Sequence, residues 1–125
     1  MNEGPSILPG TWHCTYAYES SSRGEALTDE RDIDLHWKPG SRLAVQSSPS
    51  SPSRLTMDLL VEGRTATGTW RERTDPSGYY KGAVFTGAVQ LIIAEDNRSM
   101  SGRWVGHSRD MSEVNTGTWT LTLAR

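Results

Sequence analysis

Leu55-Thr56-Met57-Asp58-Leu59-Leu60-Val61-Glu62-Gly63-Arg64-Thr65-Ala66-Thr67-Gly68-Thr69-Trp70 is the stretch that decides the fold. Leu55, Met57, Leu59 and Val61 recur at every second position, the period with which a strand turns one face to a core. Glu62-Gly63 ends that run, and residues 65–74 read as the next strand, so the stretch is strand, turn, strand. The pattern repeats outward in both directions. Upstream, Trp12, Cys14, Tyr16 and Tyr18 share a face of a first strand. Ile33, Leu35 and Trp37 alternate with Asp32, Asp34 and His36 in a second, Pro39-Gly40 makes a turn, and Leu43 and Val45 mark a third. Residues 47–53, Ser-Ser-Pro-Ser-Ser-Pro-Ser, are a loop on composition. Downstream, Asp75-Pro76-Ser77-Gly78 is a turn. Residues 79–95 exceed the usual strand length of about 3–10 residues, so Gly82 or Gly87 is expected to bend or bulge the chain there. Asp96-Asn97 turns it into a strand over 100–108, and Val114–Leu123 closes the domain.

About eight strands with short connections, and no stretch with helical spacing, predict an all-β fold. Sequential hairpins favour a single up-and-down antiparallel barrel, since closure removes the reactive edges of an open sheet. The 125 residues fit one domain over 1–125, with residues 1–9 as a lead-in. Hydrophobic residues make up only 34 % of the chain, but five Trp and four Tyr are available to build an aromatic core.

One local signature recurs: Gly10-Thr11-Trp12, Gly68-Thr69-Trp70 and Gly117-Thr118-Trp119, with Gly102-Arg103-Trp104 as a variant. Alternation puts Gly and Trp on the same face, and a Gly beside an inward Trp leaves room for the indole in a narrow barrel. These Trp residues are expected to be mainly core, with one or two lining a ligand chamber. Gly10-Thr11-Trp12 opening the first strand, with a Gly-x-Trp near the end, resembles the calycin superfamily of lipocalins, fatty-acid-binding proteins and avidins. The avidin-like similarity extends to Ser101-Gly102-Arg103-Trp104-Val105-Gly106 and Asn115-Thr116-Gly117-Thr118-Trp119, although a biotin-loop pattern is not visible.

A second resemblance covers nearly the whole chain. Gly68-Thr69-Trp70-Arg71-Glu72-Arg73-Thr74-Asp75-Pro76-Ser77-Gly78-Tyr79-Tyr80-Lys81-Gly82-Ala83-Val84 is similar to the C-terminal domain behind helix-turn-helix modules in many actinobacterial transcriptional regulators. So are Tyr16-Ala17-Tyr18, Gly87-Ala88-Val89-Gln90-Leu91 and Gly102-Arg103-Trp104-Val105-Gly106-His107. The resemblance implies a sensory or interaction domain. This chain departs from it in having no helix-turn-helix segment.

Charge and composition narrow the function. Thirteen Lys and Arg against fifteen Asp and Glu leave a net charge of −2, without the basic excess or stripe of a nucleic-acid binder, so direct nucleic-acid binding is not expected. The only cysteine, Cys14, excludes an internal disulfide framework and a cysteine-rich zinc site. The longest apolar run, near residues 91–94, falls far short of the roughly 20 residues of a membrane-spanning helix. The N-terminus lacks the basic and apolar regions of a signal peptide, so a cytoplasmic location is expected.

No nucleophile elbow and no His-x-x-x-His or His-x-His spacing appears, so no catalytic residue, metal or cofactor is expected. His13 and His36 alternate with Trp residues and should face solvent, and Cys14 reads as a small buried hydrophobe. Polar residues on inward faces are more informative. If Trp70 points inward so does Glu72, while Arg71 and Arg73 point out; if Trp119 points inward so does Asn115, near a rim. Tyr16 and Tyr18 approach the chamber from the first strand, and Tyr80 and Gln90 lie in the long segment where a bulge leaves parity open. Inside a barrel such groups must bond to each other, to water or to a guest. Arg109, in the His107-Ser108-Arg109-Asp110 loop, would either clamp an anion at the mouth or pair with Asp110 or Glu113.

The expected ligand-binding set is therefore Tyr16, Tyr18, Glu72, Tyr80, Gln90, Trp104, Arg109 and Asn115, around an unidentified small molecule that is partly aromatic or polar. Two other readings stand beside it. One is an interaction domain plugged by its own aromatics, meeting a protein partner or a second copy through Tyr79-Tyr80 and exposed arginines. The other is a small barrel isomerase or cyclase with Glu72 as its acid or base.

Overall fold

The computed structural model describes residues 7–20, 25–78 and 81–124; of residues 18–20 and 25–27 it describes the backbone alone. The period-two alternation yields eight strands: β1 (Gly10–Ser20), β2 (Glu25–Lys38), β3 (Arg42–Ser47), β4 (Arg54–Glu62), β5 (Thr65–Arg73), β6 (Val84–Ile93), β7 (Ser99–His107) and β8 (Val114–Leu123). Each pairs antiparallel with the next, and β1 pairs with β8, closing an up-and-down barrel. This is the architecture expected from the sequence and is consistent with a calycin-like barrel. No helix among the described residues is long and apolar enough to cross a membrane.

The up-and-down order sorts the connections between two ends. At the lower end lie short turns at residues 39–41, 63–64 and 94–98, each of which passes through the left-handed region, at Ser41 (φ 61°), Gly63 (φ 58°) and Asn97 (φ 61°). At the upper end lie the longer connections 48–53, 74–83 and 108–113. Inward residues near the lower end are mostly aliphatic: Leu35, Leu43, Leu59, Leu91, Met100 and Leu121 are all buried, with Trp12 beside them. Each buried side chain of this kind contributes roughly 1.5–3 kcal/mol relative to exposure. The lead-in seals this end. Ile7 is buried, and the carbonyls of Ile7 and Leu8 accept the indole N–H groups of Trp37 and Trp12, each at 2.9 Å.

The bend expected within residues 79–95 is present, and two other local expectations are revised. β6 starts at Val84, and the break is at Gly82, whose φ of +77° belongs to the left-handed region that glycine enters without a Cβ penalty. β2 begins at Glu25, well before Asp32, because a strand paired on β1 tolerates the charged run Asp29-Glu30-Arg31-Asp32, its acids exposed and Arg31 turned inward. Ser47 is the last residue of β3, not the start of the loop; its buried hydroxyl accepts the Leu55 N–H at 3.1 Å and donates to the Ser53 carbonyl at 3.2 Å. The last rung between β2 and β3 is Ile33 against Ser47, so among the described residues the upper half of β2 pairs with β1 alone.

Candidate functional site

The middle of the barrel is filled by indoles, and the register sets glycines opposite them. Trp70 on β5 lies opposite Gly87 on β6, and Trp104 on β7 lies opposite Gly117 on β8. Each indole crosses its partner glycine and donates to a carbonyl one strand further on. Trp70 Nε1 reaches Val105 O at 3.1 Å, and Trp104 Nε1 reaches Ala17 O at 3.2 Å. A Cβ on Gly87 or Gly117 would overlap those same carbonyls, so only glycine lets the strands approach this closely.

Trp119 completes the cluster, with ring centroids 5.6 Å from Trp70 and 6.4 Å from Trp104, both near edge-to-face. Its Nε1 is buried without a hydrogen-bond partner, beside the Cys14 thiol, a weak acceptor. Burial pushes the Cys14 thiol up to about 12, as expected of an inert buried cysteine.

Above the indoles sits a polar network that crosses the lumen. Arg31 Nη2 on β2 meets Glu72 Oε2 on β5 at 2.6 Å; these strands are not neighbours, so the ion pair spans the barrel. The side chains are only 10 % and 12 % exposed. Arg31 Nη2 also donates to the Tyr16 hydroxyl at 2.6 Å and Nη1 to Ser53 Oγ at 2.8 Å, while the Tyr16 hydroxyl donates to Asp29 Oδ2 at 3.1 Å. The Tyr16 ring packs on Trp119 with centroids 5.6 Å apart, tying the network to the aromatic floor.

Burial, and then the Glu72 charge, push the Tyr16 hydroxyl far above its ordinary value, so it stays a neutral phenol. Burial works against the Arg31 charge, but the Glu72 carboxylate outweighs it and holds the guanidinium ionised. The network is thus one cation facing Glu72 directly and Asp29 at 3.8 Å.

The predicted residues divide. Tyr16, Glu72 and Trp104 come together on the inward face at or below the upper mouth. Asn115 is half-buried, opposite Gly106 near the same rim. Gln90 is a correction: it is exposed on the outer face of β6, where its amide donates to Thr67 Oγ1 at 3.1 Å, because Val89 and Leu91 hold the inward positions. Arg109 is exposed, and Asp110 does not serve it: that carboxylate accepts the Ser108 and Ser112 hydroxyls at 2.8 and 2.6 Å, and these bonds hold its pKa down at about 2. Tyr80 lies outside the described residues, as does the side chain of Tyr18.

His36 is exposed. His13, on the outer face, is held by Glu30 at 2.7 Å and Asp32 at 3.1 Å.

Sequence reasoning missed Arg31, the centre of the network. The signal was present, since Arg31 has the parity of Ile33 and Leu35, but the second strand was read only from Asp32 onward. No group of three or more His, Cys, Asp or Glu among the described residues is arranged to hold a metal ion. No protein-family model and no curated protein matches this chain.

Proposed function

We propose that this barrel is a small-molecule-binding, sensory domain whose ligand enters the upper end, rests on the Tyr16–Trp119 floor and is oriented by Arg31, Glu72 and Asn115. The observation that carries the reading is the Arg31–Glu72 pair held across the lumen. A buried ion pair is often no more stabilising than a well-packed apolar pair of similar volume. Retaining one at the mouth of a barrel, in reach of a Tyr hydroxyl, favours a role in recognition. The ligand class this suits is a polar or partly aromatic molecule that stacks on a ring and offers both a donor and an acceptor. The likeness of residues 68–84 to the C-terminal domain of actinobacterial helix-turn-helix regulators supports occupancy acting on a regulatory partner.

A specific observation favours a second reading, an interaction domain with a plugged barrel: Trp70, Trp104 and Trp119 pack edge to face across the axis. Exposed Val84, Met111 and Val114 at the upper rim would then meet the partner.

Native mass spectrometry of the protein purified from its own host separates the two. A stoichiometric small-molecule adduct, released on denaturation and lost in Glu72→Gln, is the expected result. A bare mass that also gains no adduct from a metabolite extract overturns ligand binding in favour of the plugged barrel.

A further inference from the structure

Among the described residues the upper half of β2 is paired on one side only, and the chemistry of its other edge names what would pair there. Ala124 N–H donates to the Thr11 carbonyl at 3.2 Å, so odd residues of β1 direct their backbone groups to β8 and even ones to β2. Trp12, Cys14 and Tyr16 therefore bond to Ile33, Arg31 and Asp29, which stand opposite them. The backbone groups of Thr28 and Glu30 point the other way, to the side where β3 would be had it not ended at Ser47. Among the described residues no strand occupies that side. The Glu30 N–H there is instead held by the Asp29 carboxylate at 2.8 Å. Between this edge and the Ser/Pro loop lies a cleft of about 350 Å³, walled by Asp29, Glu30 and Asp32 on one side and Ser48, Ser51 and Ser53 on the other.

We infer that this edge is a docking site for an extended Lys- or Arg-bearing peptide segment, which adds to β2 as a further strand. Exposed backbone donors and acceptors template strand addition, and side chains along the cleft select the partner. The selection here is electrostatic. Asp29, Glu30 and Asp32 are exposed, whereas the one cation in the cleft wall, Arg31, turns inward onto Glu72. A second copy of this chain is disfavoured: pairing β2 on β2 would set acidic side chains opposite one another, and like charges directly opposite across a ladder repel. A basic segment instead meets the carboxylates, and its amides and carbonyls take up Thr28 and Glu30 as the Asp29 carboxylate gives way. The cleft borders the upper mouth and shares Asp29, Arg31 and Ser53 with its network, but pairing on the β2 backbone does not depend on a ligand in the lumen.

The test uses the full chain, ¹⁵N-labelled, with the peptide acetyl-Lys-Val-Lys-Val-Lys-Val-amide and the same peptide N-methylated at alternate residues. Methylation keeps the charge and removes the strand hydrogen bonds. The expected result is binding with slowed amide exchange at Thr28 and Glu30, weakened at least about tenfold by N-methylation. Glu30→Lys with Asp32→Lys should weaken the unmethylated peptide by a similar factor. Equal binding of the two peptides, or no binding of either, overturns the proposal, and this comparison needs no variant to fold.

Discussion

The two ends of the barrel are built from the same strands to opposite effect. At the lower end the turns are short, every strand is paired on both sides, and the inward positions are apolar, mostly aliphatic, and sealed by Ile7. At the upper end β3 stops early and the connections lengthen. There the inward positions carry Tyr16, Arg31 and Glu72. Where the ladder is complete, apolar burial closes the structure. Where it is interrupted, charged and hydroxyl side chains bridge the gap, Arg31 reaching Ser53 of the 48–53 loop as well as Glu72.

The sharpest way to break this comparison is to truncate each end. Leu59→Ala, at a fully buried lower position, should cost about 3 kcal/mol in a urea titration, from lost transfer energy plus the cavity left behind. Replacing the upper pair together, Arg31→Met with Glu72→Leu, should leave stability within about 1 kcal/mol of the parent or raise it. A double variant as damaging as Leu59→Ala would show that the upper network holds the fold.

Gly102→Ala tests the close approach of strands below the indoles. A Cβ at this position overlaps the Gln90 carbonyl, a backbone atom with no freedom to swing aside. The expected loss is about 2 kcal/mol, read from the thermal midpoint, with the barrel strained but closed. An unchanged midpoint would show that β6 and β7 can separate at that rung.

The smallest effect is on the outer surface. Bonds to Asp32, then Glu30, raise the His13 pKa above 6.5, while on its other flank the neighbour is Thr122. A raised folded-state pKa adds stability that is complete below the unfolded value and disappears as pH rises through the folded one. His13→Gln should therefore remove a small gain on the acid side of this window and change nothing above it. Because the imidazole is 39 % exposed and screened, the effect should stay under about 0.5 kcal/mol across a pH series of urea titrations. A larger effect would mark the outer face of β1 and β2 as more than a solvated surface.

Much of the fold was legible because alternation is a local property. Leu55, Met57, Leu59 and Val61 announce an inward face whatever lies across the barrel, and the same parity placed Glu72 and Trp104 inward. Gln90 was not settled this way. Its parity depended on where residues 79–95 break, and Gly82 and Gly87 offer the same local signal. The break is at Gly82, while Gly87 lies inside β6 under the Trp70 indole. Arg31 was hidden for a different reason: an inward cation is tolerable only with an anion across the lumen, and that anion stands 41 residues away.

The sequence by itself determined the strand order, the all-β class and the aromatic core, because pleat and turn chemistry act between residues close in the chain. Tertiary structure alone decided that β2 runs on past the end of β3 to Glu25, that the indoles of Trp70 and Trp104 bond to carbonyls two strands away, and that Arg31 meets Glu72. Each of these is a contact between distant segments, and its energy depends on closure of the barrel, a condition that no window of sequence contains.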